Sequence, residues 1–327
     1  MVISTPILII LYKRPETTVH LIKALKKVKP KSIYIAINFP PINASSEVFQ
    51  DYKNVLELIK NINWKCNLKI KKRKKHLKIY ASYKGAINWF FKYENEGIVL
   101  EDDTIPNRSF FIFCSKLLKK YRYNKKISMI CGTSFYNQKA INNESYLFNH
   151  IPLMWGFATW RRSIHDLDDK LKDWPVIKKK IFTNFSKNKS FIDHWTKIFS
   201  DAYNKKYLSF DYQMFYTNLK NKKLNIIPKI NLVKNIGFSK KAEHTKTKEW
   251  YSNLETRELK SIKHPKIIEP NLYHDNWIIK YHFKIEESEF LNKIKKNKIF
   301  KLKIIFKIGK IFYRAYKYIK RQNKPDL

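Results

Sequence analysis

Short apolar runs separated by helical stretches dominate the first 132 residues of this 327-residue chain. Residues 6–12 read as a strand. Pro15-Glu16-Thr17 then opens a helix whose apolar positions Val19, Ile22, Leu25 and Val28 keep helical spacing and which stops at Lys29-Pro30. Ile33–Ile37 is a second strand ended by Phe39-Pro40-Pro41, and a helix near 46–61 and a strand at 66–70 follow. A helix over Tyr80–Tyr93 delivers the chain to the apolar run Gly97–Asp103. Phe110–Tyr121 is helical again, and Ile127–Gly132 is a further strand. Strands alternating with helices in this way predict a doubly wound, mostly parallel α/β sheet flanked by helices.

Residues 133–250 are less regular and rich in aromatics, among them Trp155, Phe157, Trp160, Trp174, Trp195, Phe210 and Tyr212. Such density reads chiefly as core, with a substrate subsite the lesser alternative for any one ring. The expected organisation is one unit over 1–250, divided near 132, and a C-terminal extension over 251–327. That extension ends in a basic stretch. From Lys293 to Arg321 it carries twelve Lys/Arg and no acid. Lys303, Lys307, Lys310, Arg314, Lys317 and Arg321 fall on one helical stripe beside Ile304, Ile308 and Ile311, the pattern of a helix lying on an anionic membrane.

Composition narrows the class. The chain is 44% hydrophobic, which is globular rather than disordered, and carries 67 Lys+Arg against 27 Asp+Glu. A net charge of +40 points to anionic partners, although part of it accompanies a general excess of Lys, Ile, Asn, Phe and Tyr of the kind an AT-rich genome produces. Cys66, Cys114 and Cys131 match no metal spacing and suit a reducing compartment. No signal peptide and no run of about 18 apolar residues is visible, so the expected location is cytoplasmic, with any membrane contact peripheral. Only six glycines are present, with no G-x-G-x-x-G or Walker pattern, which argues against dinucleotide dehydrogenases, P-loop enzymes and kinases.

The most informative residues are Glu101-Asp102-Asp103, three adjacent acids closing the Gly97–Asp103 run. Ligand sites of open α/β sheets lie at the carboxyl ends of strands. Carboxylates crowded there repel one another and call for a cation, and oxygen donors of this kind suit Mg²⁺ or Mn²⁺. A solvated acidic turn is the plain alternative. Gly156, between Trp155 and Phe157, suggests a positive φ or a close approach to a ligand, with an ordinary turn as the alternative. Asp211, before Tyr212-Gln213-Met214-Phe215, stands at a helix start, where a helix cap is the plain role.

The ordered set Leu11-Tyr12-Lys13-Arg14-Pro15, Trp89-Phe90-Phe91, Gly97–Asp103, Met154–Arg162, Phe210–Gln213 and Asn235–Phe238 through His244-Thr245 resembles bacterial, family-2-like nucleotide-diphospho-sugar glycosyltransferases with the GT-A fold, over residues 5–250. The resemblance implies a metal-dependent, inverting transferase of surface glycan or lipopolysaccharide synthesis. Asp211 would be its catalytic base, and Asp103 and His244 its ligands to Mn²⁺ or Mg²⁺. Tyr12, Arg14, Asn38, Arg73, Glu101, Asp102, Trp155 and Gly156 would line the donor site. The implied partners are a nucleotide-diphospho-sugar, UDP-sugars favoured, and a glycan or lipid-linked acceptor. Two departures stand out: Asn38-Phe39 where relatives carry Asp-Gly, and His76-Leu77-Lys78 where they tend to carry Asn-Leu-Gly. Two alternatives compete. A nucleotidyltransferase expects a Gly-rich, lysine-bearing loop after the first strand, and Tyr12–Pro15 lacks the glycines. A nucleic-acid-binding protein would use the charge, but it leaves the acids unexplained and no recognition motif is present, so no nucleic-acid partner is expected.

Overall fold

The computed structural model describes residues 3–135, 143–183, 185–238 and 249–285. His244 and the basic stretch 293–321 lie outside them. Four parallel strands form one half of a sheet: β1 (Ile7–Leu11), β2 (Ser32–Ile37), β3 (Asn67–Lys72) and β4 (Glu96–Glu101). The helices expected between them are α1 (Pro15–Val28), α2 (Ser46–Ile59) and α3 (Ile79–Tyr93). α1 starts at Pro15, whose missing N–H costs nothing in a first turn, and stops where Lys29 turns left-handed. Side-chain alternation along the buried strands gives the sheet two apolar faces. Ile7, Ile9, Ile33, Ile35, Ile98 and Leu100 pack against α1, α2 and α4 (Arg108–Tyr121). Leu8, Tyr34, Ala36 and Val99 pack on the other side with α3 and the aromatics of the second half.

The irregular second half completes the same sheet. β6 (Ile127–Cys131), β7 (Tyr146–Asn149), β8 (Phe157–Trp160) and β9 (Leu224–Pro228) extend it to eight strands in the order β3-β2-β1-β4-β8-β6-β9-β7. β8 runs antiparallel between β4 and β6, and β7 antiparallel to β9. The architecture is therefore α/β with a mostly parallel central sheet, as the alternating pattern predicts. Of the aromatics there, Phe157, Trp160, Trp174, Trp195 and Phe210 are buried, whereas Trp155 and Tyr212 keep an accessible part.

Arg161 and Arg162, directly after β8, explain why this insertion is stable. Arg161 Nε donates to the carbonyl of Glu94 at the end of α3, 3.1 Å away. Arg162 donates to the carbonyls of Tyr121 (3.2 Å), Arg122 (3.2 Å) and Ile127 (2.8 Å) and stacks on the Trp160 indole. Two neighbouring cations thus satisfy the orphan carbonyls of two helices and oppose the negative ends of their dipoles.

Residues 249–285 are packed onto the far edge. The Glu258 carboxylate accepts from the backbone N–H and hydroxyl of Ser109, and Asp275 on α9 (Leu272–Tyr281) accepts from the backbone N–H groups of His150 and Ile151. Among the described residues no helix is long and apolar enough to cross a membrane.

His282, past α9, sits with its ring centroid 4.7 Å from Phe135 and 5.0 Å from Tyr251. Desolvation lowers its pKa from 6.5 to about 4. Between these values the unfolded chain binds the proton and the folded chain does not. Stability is therefore retained above pH 6.5 and lost as pH falls toward 4, with a slope of up to about 1.4 kcal/mol per pH unit. His282→Phe should flatten the urea-midpoint profile across that window, while leaving stability at pH 7.5 nearly unchanged.

Candidate active site

The carboxyl ends of β1, β2, β3 and β4 lie at one edge of the sheet because the strands are parallel. The segments that follow them carry Tyr12–Arg14, Asn38, Arg73 and Glu101–Asp103 respectively. The expected strand Gly97–Asp103 ends earlier, at Glu101, and Asp102 and Asp103 form a tight turn into β5 (Thr104–Pro106). Thr104 holds that turn, its hydroxyl accepting from the Glu101 N–H at 2.9 Å and lying 2.9 Å from the Glu101 carbonyl to which it donates. Three successive carboxylates on a central ladder would bury charge on both sheet faces. Turning after the first lets the other two meet a cation.

That cation is Arg14. Its Nε and Nη2 donate to the two oxygens of Asp102, and Nη1 donates to Asp103 Oδ2 at 2.8 Å. Burial alone would lower the Arg14 pKa, but Asp102 and Asp103 outweigh it and hold the guanidinium charged above its ordinary value. Asp102 is buried, whereas Asp103 keeps 14% of its side chain accessible. Desolvation and the charges of Asp103, Asp102 and Asp211 push Glu101 up to about 8 against the opposing pull of Arg14.

Two more elements close the site. β10 (Val233–Asn235) pairs antiparallel with β5, and the backbone bond from Ile236 N to Asp103 O extends the pairing by one step at 2.9 Å. Gly237 is thereby pressed on Asp103, where an added Cβ would overlap Oδ2. The Asn235 side chain fixes this bend by accepting from Gly237 N at 2.7 Å. From the other side, Tyr83 on α3 hydrogen-bonds Glu101 and feels the charges of Asp211 and Asp103. Desolvation first, and these acids next, raise its pKa so that the phenol stays protonated. Asp211 lies in the first turn of α8 (Phe210–Lys220), exposed, accepting from the Ser209 hydroxyl and from Tyr212 N at 3.0 Å. The helix N-cap is Ser209, so Asp211 is not the cap.

The remaining expected residues are placed as follows. Asn38 spends its amide on Leu77, donating to its carbonyl at 2.8 Å and accepting from its N–H at 3.2 Å. It ties two loops together in this conformation. The Arg73 guanidinium lies against Gly85, and its Nη2 is buried with no hydrogen-bond partner among the described residues. The Tyr12 ring stands 5.9 Å from His76. Gly156 has φ +65°, as its place between two aromatics suggests, and packs on Val233 and Leu100. Trp155 stands among Phe135, Phe238 and Tyr251, with ring centroids 5.5–5.8 Å apart. Tyr83 and Gly237 are the two site residues not singled out by sequence reasoning. A tyrosine three positions after Tyr80 on one helix and a glycine within a recognised motif were the available signals.

Among the described residues no group of three or more His, Cys, Asp and Glu forms a metal cage. Mg²⁺ is ordinarily held by one or two carboxylates with water and substrate phosphates, so a partly accessible Asp103 fits such an ion.

No protein-family model matches the chain, and no curated protein matches it. Among solved structures, HddC from Yersinia pseudotuberculosis aligns at 13% identity over 50% of this chain and 80% of its own, with a TM-score of 0.31. The glycosyltransferase GlyE of Streptococcus pneumoniae TIGR4 aligns at 11% identity, covering 68% of this chain and 44% of its own, TM-score 0.32. A UDP-glucose pyrophosphorylase complexed with UDP-glucose aligns at 11% identity, 45% and 62% coverage, TM-score 0.28. These are partial overlaps of chain path, and the chemistry is read from the site's own residues.

Gly237→Ala should cost about 1–2 kcal/mol in urea denaturation, since the new methyl must push Asp103 off Arg14. In an Arg14→Gln background the same change should cost measurably less. Equal costs in a double-mutant cycle would disconnect Gly237 from the ion pair.

Proposed function

We propose that the chain is a glycosyltransferase that moves a sugar, with inversion, from a nucleotide-diphospho-sugar to a hydroxyl of a glycan or lipid-linked acceptor. The observation that carries this reading is the convergence of Arg14, Tyr83, Glu101, Asp102, Asp103 and Asp211 at one edge of the sheet. A diphosphate leaving group needs positive charge, a sugar ring needs hydrogen-bonding groups, and an acceptor hydroxyl needs a base. The hydrogen-bonding groups and the base are present; with Arg14 paired to Asp102 and Asp103, the positive charge would come with a metal.

Asp211 is the base. Its carboxylate is exposed in the first turn of α8. It takes the proton of the acceptor hydroxyl as the new C–O bond forms on the face opposite the diphosphate, where one carboxylate suffices. Tyr83 and Glu101 present a phenol and a carboxyl group to the donor between Asp103 and Asp211. Arg14 holds the Asp102–Asp103 turn together before a ligand arrives. An Mg²⁺ or Mn²⁺ held by Asp103 would supply neutralisation of the charge on the departing diphosphate. His244, outside the described residues, is proposed as a further ligand to it. Against nucleotidyl transfer stands the direct entry of Tyr12–Arg14 into α1 at Pro15, which leaves no glycine-rich phosphate loop.

Screening sugar-nucleotide turnover with Mn²⁺ over a donor panel tests the reading. Asp211→Asn should keep the thermal shift given by Mn²⁺ with nucleoside diphosphate yet lose turnover by about 10²–10⁴-fold. Surviving turnover would remove Asp211 as the base. Asp103→Ala should abolish that Mn²⁺-dependent shift while the far-UV spectrum stays native. An unchanged shift would move the metal elsewhere.

A further inference from the structure

From Lys65 to Tyr93 the chain has ten Lys/Arg and no acid. This segment forms edge strand β3, the loop 73–78 and α3. The loop 73–78 lies at the carboxyl end of the sheet, beside the loop 38–45 that follows β2. Two sets of bonds staple them together: Asn38 to both backbone groups of Leu77, and the Phe39 carbonyl to His76 Nδ1 at 2.8 Å. The stapled pair forms a lip. β3 is three strands from β4, so at about 4.8 Å per strand the lip stands about 14 Å from the acid turn.

Its surface chemistry is of two kinds. Lys72, Lys74, Lys75 and Lys78 are exposed and form no ion pair among the described residues. Between them stand apolar side chains with no packing role. Ile42, at the tip of the first loop, is 100% exposed, and Ile79, following Lys78, is 52% exposed. Lysines alone would suit any polyanion. A fully exposed isoleucine in the turn after Pro40-Pro41 has no use against a phosphodiester backbone, but it enters the headgroup layer of a bilayer readily.

We infer that this lip, Ile42 and Ile79 with Lys72, Lys74, Lys75 and Lys78, is an interfacial contact with an anionic phospholipid surface. It holds the carboxyl edge of the sheet, and with it the acid turn, toward the membrane. This contact is separate from the basic stretch 293–321. It also does not depend on the reaction proposed above, because its readout is vesicle binding.

The test uses the full-length chain, so the C-terminal stretch contributes equally to every arm. Sedimentation with vesicles of equal parts phosphatidylglycerol and phosphatidylcholine is compared for two triple variants of equal charge change. One is Lys74→Glu/Lys75→Glu/Lys78→Glu. The other is Lys119→Glu/Lys120→Glu/Lys125→Glu, exposed lysines at the amino edge of the sheet. The lip variant should lose about tenfold or more in partitioning, and the control less than about threefold. A nitrobenzoxadiazole label on Ile42→Cys, in a Cys66→Ser background, should brighten on these vesicles and not on pure phosphatidylcholine. Equal losses in the two variants, or a label that does not respond, would overturn the contact. So would a lip variant that keeps vesicle binding but loses binding to a single-stranded oligonucleotide. A failure of donor turnover with vesicle binding intact would count against the reaction alone.

Discussion

Three consecutive carboxyl groups at the end of a central strand cannot coexist without a cation, and the structure is arranged around the one the chain supplies. Arg14 spends three donors on Asp102 and Asp103. That demand fixes the loop between β1 and α1, because the guanidinium must reach across from a neighbouring strand. It also fixes where β4 stops. Breaking the pair from one side would leave buried charge uncompensated, which costs more than the pair contributes over an apolar substitute. The same arrangement leaves Asp103 partly accessible, so the turn is held together and still open to a ligand.

Around this turn the fold brings in chemistry from distant parts of the chain by backbone pairing. β5 and β10 are three-residue strands with little packing value of their own, yet their ladder lays Gly237 on Asp103. α3 and α8 meet where the Tyr83 ring stands 5.2 Å from Phe210, and this contact places a phenol and the Asp211 carboxylate near Glu101. Antiparallel β8 is inserted next to β4. The Arg161-Arg162 pair secures that insertion by capping α3 and α4 at the opposite edge of the sheet. Stability devices thus gather at the amino edge and chemistry at the carboxyl edge, the division expected of open α/β sheets.

The first 132 residues were legible in the sequence because each element states its own period. Short continuous apolar runs such as Ile7–Leu11 mark strands, and the helical spacing of Val19, Ile22 and Leu25 marks a helix. The glycine bracketed by aromatics at 156 and the acids at 101–103 were legible for a related reason: a rare backbone freedom and an unusual charge density are local properties. β7, β8 and β9 were not. They are four or five residues long, two of them antiparallel edges or insertions, and their aromatic content reads equally well as helix or loop.

Sequence alone therefore determined the α/β class, the order of strands and helices through β6 apart from the three-residue β5, and the acid turn as the place to look for chemistry. Only the tertiary structure decided that the counter-cation is Arg14, that Asn38 is occupied by Leu77, that Ser209 rather than Asp211 takes the N-cap position of α8, and that Tyr83 and Gly237 belong to the site. The physical reason is the range of the interactions. Periodicity and charge density act between residues a few positions apart, where the sequence displays them. A guanidinium on a carboxylate 88 positions away, or a glycine 134 positions from the acid it touches, is fixed only when strand pairing has closed the chain on itself.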